Sequence, residues 1–347
     1  MKNIFISISV FILTLLLSCE RLVDFPQDDS GKIYINAIVS GTGSRINLMV
    51  SQPLNGSETV TAEEVKVTLE TEGESVLLVR DQEYVAVYPG EVSYVTEKTF
   101  ISGQKLRLVA EAEGLPSAVA YTTVPEKLPV PVISCERMFA HMKKDPELVT
   151  DHLEEIFNFS ITLDEPVSEN SYFAVQMYVR KFHEYTGNVR EHDKEYYDSL
   201  SEEGYDDIFV NSEMMENPAL SSQKNDMIID YEGGEMKVLS ASSVDGKSVL
   251  DVPVKATERR LIRGSYGQNP EDQYEIYECF EYKVRVYRLS AEMYHCFKAQ
   301  YIADNSDAPV HLGFSPVTYT YTNIVGGLGM FGAMSVYESD WKGYENE

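Results

Sequence analysis

The chain has 347 residues, with 56 acidic against 29 basic side chains and a formal net charge of −27. That balance excludes a nucleic-acid binder, which needs a basic face to displace counterions, and it offers no attraction to anionic headgroups. The length is enough for two domains of ordinary size, and four cysteines are too few for a disulfide framework to carry the fold.

Met1-Lys2 is followed by an almost unbroken apolar stretch from Ile4 to Leu17, and the only charge before residue 19 is Lys2. A charged start, a short apolar core and a small residue before the cut mark a secretory signal. The core is too short to span a bilayer as a helix, which needs about 20 residues. Leu16-Leu17-Ser18-Cys19 resembles the lipobox of bacterial lipoproteins. That resemblance implies cleavage before Cys19 and diacylation of its thiol, so residues 1–18 are a lipoprotein signal peptide and Cys19 is the lipidated residue. Each buried CH₂ of the acyl chains would contribute about 0.8 kcal/mol to membrane anchoring. Removing 18 of the 347 residues leaves 329, and the loss of Lys2 takes the charge from −27 to −28.

Residues 19–31 form an acidic tether containing Glu20, Asp24, Asp28 and Asp29. Strand signals follow at close spacing. Ile33, Ile35, Ala37 and Val39 alternate with Tyr34, Asn36 and Ile38, and Val65, Val67 and Leu69 alternate with Lys66, Thr68 and Glu70. Further strands are expected at 46–51, 76–80, 84–88, 105–113 and 117–124. Seven short strands separated by Gly, Pro and Asn predict an immunoglobulin-like β-sandwich over 32–124. Pro125, Pro129 and Pro131 make 125–132 a stiff linker.

The remainder, 133–347, reads as a larger β-rich domain with one late α-helix. Strands are expected over Ile156–Leu163, Ser171–Phe182, Tyr274–Leu289 and Val317–Val325. Between Leu289 and the last of these, Ser290 reads as an N-cap, with Met293, Phe297 and Tyr301 on one helical face. Beyond Cys19 the cysteines are Cys135, Cys279 and Cys296. Buried free thiols are the favoured reading, with a Cys279–Cys296 bridge open if that strand and helix pack together.

Inside this domain lies an acidic insertion at 193–207, with seven acids, one lysine and three tyrosines. Asp193, Glu195 and Asp198 are hard oxygen donors suited to calcium, but the EF-hand glycine is missing and a solvated helix or loop is favoured. Tyr196, Tyr197 and Tyr205 are candidate contacts to a ligand or partner, since tyrosine offers an apolar ring with a polar tip. Gly327 to Gly332 matches G-x-G-x-x-G, but only 15 residues follow Gly332, too few for a dinucleotide fold. These glycines instead predict positive φ, at Gly327 among them, and close backbone approach in a turn or bulge. No G-x-S-x-G, H-E-x-x-H or C-x-x-C pattern occurs, so no catalytic, cofactor-binding or metal-binding residue is assigned, no cofactor is expected and the chain reads as a non-enzyme.

Several segments in this order resemble a lipoprotein family of the Bacteroidota, domain of unknown function 4249. They are Lys32-Ile33-Tyr34-Ile35-Asn36-Ala37, Val65-Lys66-Val67-Thr68-Leu69, Thr123-Val124-Pro125, Asp164-Glu165-Pro166 with Asn170-Ser171-Tyr172-Phe173, and Leu289-Ser290-Ala291-Glu292. The sharpest is the terminal Asn323-Ile324-Val325-Gly326-Gly327-Leu328-Gly329-Met330-Phe331-Gly332, in which Asn323, Gly326, Gly327, Gly329, Phe331 and Gly332 are taken as a structural motif. The resemblance covers nearly the whole mature chain but not 193–207. It implies an outer-membrane lipoprotein encoded beside a TonB-dependent receptor and assisting nutrient uptake. The acids after Cys19 point weakly to the outer face, and the choice between surface and periplasm stays open. Two other classes compete: an independent surface lipoprotein binding a glycan, peptide or metal chelate, and an adhesin-type structural protein exchanging edge strands.

Overall fold

The computed structural model describes residues 31–40, 43–51, 60–86, 90–144, 150–163, 170–202, 206–207, 227–231, 234–240, 249–304 and 321–343. The signal peptide, Cys19, nearly all of the tether and Tyr205 lie outside the described residues, as does the 317–320 part of the last expected strand.

The protein is mainly β. Its first eight strands are β1 (Lys32–Ser40), β2 (Gly43–Ser51), β3 (Lys66–Thr71), β4 (Glu74–Val76), β5 (Val79–Arg80), β6 (Val92–Thr96), β7 (Lys105–Glu111) and β8 (Ala118–Thr123). They form two facing sheets, β1-β2-β6-β5 and β4-β3-β7-β8. The alternation in β1 turns Ile33, Ile35, Ala37 and Val39 fully inward. With Ile46 and Leu48 they meet Leu69, Leu106, Leu108 and Ala120 of the other sheet in one core, the two-layer sandwich expected of period-2 patterning. Where the sequence predicts a strand at 84–88, the described residues 84–86 are not in a strand, and the real one is β6. Val85 is 84% exposed: an apolar run with no sheet face to bury it gains nothing from strand geometry.

The rest of the chain adds β9 (Val132–Lys144), β10 (Thr150–Thr162), β11 (Tyr172–Gly187), α1 (Glu191–Glu202), β12 (Asp206–Asp207), β13 (Met227–Tyr231), β14 (Gly234–Ser240), β15 (Val249–Ser265), β16 (Gln273–Leu289), α2 (Ala291–Asp304), β17 (Leu328–Glu338) and β18 (Lys342–Gly343). The long antiparallel pair β11–β16 buries both of its faces. On one side Phe173, Val175, Met177, Phe280, Tyr282 and Val284 pack on Phe157, Phe159 and Ile161 of β10, with edge-to-face rings between Phe159 and Tyr282 at 4.8 Å. On the other, Ala174, Tyr287 and Leu289 pack on Met293 and Phe297 of α2 and on β13–β14. The Ser290 Oγ accepts the Met293 N–H, so α2 begins where its cap places it. Cys279 on β16 and Cys296 on α2 are not bridged to each other, and neither is joined to Cys135, whose burial pushes its thiol up to about 12. The proline-rich connector is fastened at several points: Leu128 is buried in the second core, and the Lys127 N–H donates to Ser102 Oγ.

The last expected strand is misplaced in the sequence reading. Within 321–325 there is only an isolated bridge, Val325 to Val119 of β8, and the strand begins later, at Leu328, inside the glycine run. Its first half pairs in parallel with β1 and its second half antiparallel with β16. One sheet therefore runs from the first sandwich into the second core, and the first sandwich is completed by residues near the C-terminus. The glycines allow this. Gly326 and Gly329 have φ of +79° and +95°, and a Cβ on Gly329 would lie 2.0 Å from the Ile35 carbonyl oxygen of β1. Gly327 does not have the positive φ expected of it; there the requirement is space, 2.7 Å to the Ile33 carbonyl oxygen and 2.9 Å to Ala118 Cβ. Gly332 lies as close to Met293 of α2. Asn323 closes the motif with its side-chain amide, donating to the Phe331 carbonyl at 2.8 Å and accepting the Phe331 N–H at 2.9 Å, as a strand backbone would.

Candidate site at the acidic helix and hairpin tip

The acidic insertion opens as α1, with Glu191 and Asp193 in its first turn, where carboxylates complement the exposed N–H groups and helix dipole. Its sequence has little apolar surface, so tyrosines of the sheet below hold it. The Tyr185 hydroxyl lies 2.5 Å from Asp198 Oδ1 and 3.2 Å from the Lys194 carbonyl oxygen. The Tyr266 hydroxyl donates to Asp193 and accepts the Arg190 N–H. Arg190 also places its guanidinium 4.0 Å from the Tyr266 ring centroid, and Tyr274 stacks on Tyr266 at 4.6 Å, giving a cation–ring–ring stack.

Of the tyrosines singled out in the sequence, Tyr196 and Tyr197 are brought together edge to face at 5.1 Å. Tyr196 is 56% exposed, while Tyr197 turns toward His183, 5.5 Å between ring centroids. Asp193 and Asp198 are each bonded to a different tyrosine, and among the described residues no group of three or more His, Cys, Asp or Glu could hold a metal ion. The sequence reading missed Tyr185, Tyr266, Tyr274 and His183. His183 and Tyr185 come from β11, Tyr274 from β16 and Tyr266 from the turn just after β15, and the readable signal was the alternation that puts His183 and Tyr185 on one face of β11.

Burial favours the neutral form of each of these groups. It pushes the Tyr197 and Tyr266 hydroxyls above the ordinary tyrosine range, Tyr266 being raised further by its bond to Asp193. It holds His183 below the ordinary imidazole value, against the opposing pull of Glu278 and Asp198. Glu278 is buried and paired with Lys181 at 3.3 Å and Arg260 at 3.5 Å.

Beside the stack an open cleft of about 580 Å³ lies at the tip of β11, β15 and β16. In the sheet register Tyr274 stands between Gly187 and Gly264, and its ring lies over Gly264, where a Cβ would meet Tyr274 Cζ and the Tyr274 hydroxyl oxygen at 2.3 Å. Gly187 has a φ of +76°, and a Cβ there would meet the Gln273 carbonyl oxygen at 2.3 Å. The wall next to it carries Arg263, bound to both Asp151 and Glu275. Hydrogen bonds from Tyr277, then Arg263, hold the Glu275 carboxyl below the usual range.

A family model described as "Domain of unknown function (DUF4249)" matches residues 20–340. No curated protein matches. Solved structures with some likeness include the three-domain I67–I69 segment of titin, in an E-to-A variant, at 7% identity and TM-score 0.19, covering 74% of this chain and 93% of that one. The Escherichia coli adhesin FdeC is 10% identical with a TM-score of 0.16, covering 71% of this chain and 63% of its own. The B domain of a biofilm-associated protein is 7% identical with a TM-score of 0.16, over 90% and 86%. Scores this low carry no weight for function.

Proposed function

Because this chain belongs to the family described as domain of unknown function DUF4249, we propose that it is a lipid-anchored outer-membrane accessory protein that assists a TonB-dependent receptor in nutrient uptake and catalyses no reaction. The observation that carries this reading is positional. The family match begins at residue 20, directly after Cys19, so the part of the chain shared with the family begins where the lipobox-like signal ends, and in this reading it hangs from its lipid by a short acidic tether. With a charge of −28 after that cut, the acyl chains supply the membrane attachment, since two or more give a stable anchor.

The test is affinity purification of the tagged, lipidated protein from gently solubilised outer membrane, followed by mass spectrometry. A stoichiometric TonB-dependent receptor is expected. Recovery of the protein alone across a range of detergent strengths would refute the accessory role. The second reading, an independent ligand-binding surface lipoprotein, is favoured by the tyrosine cluster and its cleft.

A further inference from the structure

We propose that α1 is an acid-released flap: charging His183 lifts it from the sheet and frees the tyrosine hydroxyls that hold it. This goes beyond the accessory role and does not depend on it. The hold on α1 is polar. None of its described side chains belongs to a hydrophobic core. What fastens it is the pair of tyrosine hydroxyls bonded to Asp193 and Asp198, the Arg190–Tyr266 stack at its start and the contact of Tyr197 with His183. An element with few buried apolar contacts opens at far less cost than global unfolding. At 12 residues a helix freed from its sheet is marginal in water, so release also unwinds it.

His183 sits where a proton is costly to bury. Its cross-strand partner on β16 is Glu278, a buried carboxylate shared by Arg260 of β15 and by Lys181, two residues before His183 on the same face of β11. From above, α1 supplies Tyr197 and Asp198, and Asp198 is taken by the hydroxyl of Tyr185, two residues further along that face. With neutral His183 the two cations and two carboxylates around the ring cancel. A protonated ring therefore adds an uncompensated charge to a half-buried site under Tyr197, where desolvation penalises it. Burial is the first cause holding His183 below the ordinary imidazole value, and Arg260 and Lys181 act in the same direction. Lifting α1 returns the ring to water, so protonation favours the lifted state. The docked state keeps its full advantage above the ordinary imidazole range and loses it as pH falls through that range.

The experiment uses the full chain and reads amide hydrogen exchange of α1, corrected for the intrinsic rate at each pH, as an opening constant. From about pH 7.5 to about pH 5.5 that constant should rise several-fold. The ceiling is about ten-fold, for an imidazole of ordinary value, about 6.5, that is charged only when α1 is lifted. Amides of β1 report global unfolding and should not follow. His183→Gln should remove the rise. Lys181→Gln keeps His183 and takes one cation from beside it, so it should shrink the rise, and it decides the matter if His183→Gln fails to dock α1. An α1 opening constant unchanged with pH, the full rise in either variant, or a rise shared by β1 would each overturn the proposal. Because no receptor is present, failure here leaves the purification result untouched.

Discussion

Replacing Gly329 by alanine isolates what the parallel β1–β17 contact demands of the backbone. Two costs are expected. A φ of +95° is unfavourable for any residue with a Cβ, by about 1–2 kcal/mol. The added carbon would also stand 2.0 Å from the Ile35 carbonyl oxygen, and both partners are strand backbone beside the fully buried Ile35. Moving them apart resembles overpacking a core, about 1–3 kcal/mol more. Gly73→Ala is the matched control. Glu72 and Gly73 have φ of 51° and 85° in the β3–β4 turn, and a Cβ on Gly73 would meet nothing within 4 Å. It carries the φ cost alone, and the change in unfolded-state freedom is common to both variants. Urea unfolding followed by circular dichroism and by fluorescence of the only tryptophan, Trp341, should place Gly329→Ala well below Gly73→Ala. Equal midpoints would refute the close-approach argument and leave φ as the whole effect.

Asn323→Ala should cost about 2–4 kcal/mol, because it strips partners from both the N–H and the carbonyl of Phe331, a residue with no exposed surface; thermal unfolding measures it. Phe159→Ala should cost about 3–5 kcal/mol by opening a cavity beside Tyr282, read in the same assay. His183 should make the protein less stable in acid. Its value is lowered in the folded state, by burial first, so the unfolded chain binds the proton more readily and stability falls as pH drops through the ordinary imidazole range and below. His183→Gln should flatten that part of the midpoint-against-pH curve, and an unchanged slope would remove His183 as its source.

Period-2 alternation made β1, β3 and β10 legible, because each buries one face and the hydrophobic pattern records it directly, while β11 and β16 were legible as long runs rich in apolar and aromatic residues. The start of α2 was equally readable, since a serine cap and a four-residue apolar spacing are local signals. The parallel β1–β17 pairing was not, since no local pattern says which distant strand a segment will join. The glycine run then drew the expected strand too early, because glycine in a sequence signals a turn, while here Gly329 and Gly332 lie within a strand approached by other backbone. At the candidate site Tyr196 and Tyr197 stood out by composition. Tyr266 and Tyr274, ordinary hairpin residues in sequence, acquire their roles only when β15 and β16 pair across the hairpin and α1 lies down on them.

The placement of β17 also has a kinetic meaning. Ile35 and its parallel partner Gly329 are separated by nearly the whole folded chain, and contacts of that span are entropically slow to form. During synthesis the first sandwich must therefore wait, with one flank of β1 uncovered, until the final residues emerge. That exposed strand flank is a template for wrong pairing in the interval. Truncation after residue 320 would consequently damage the N-terminal sandwich, far from the cut in sequence and next to it in space.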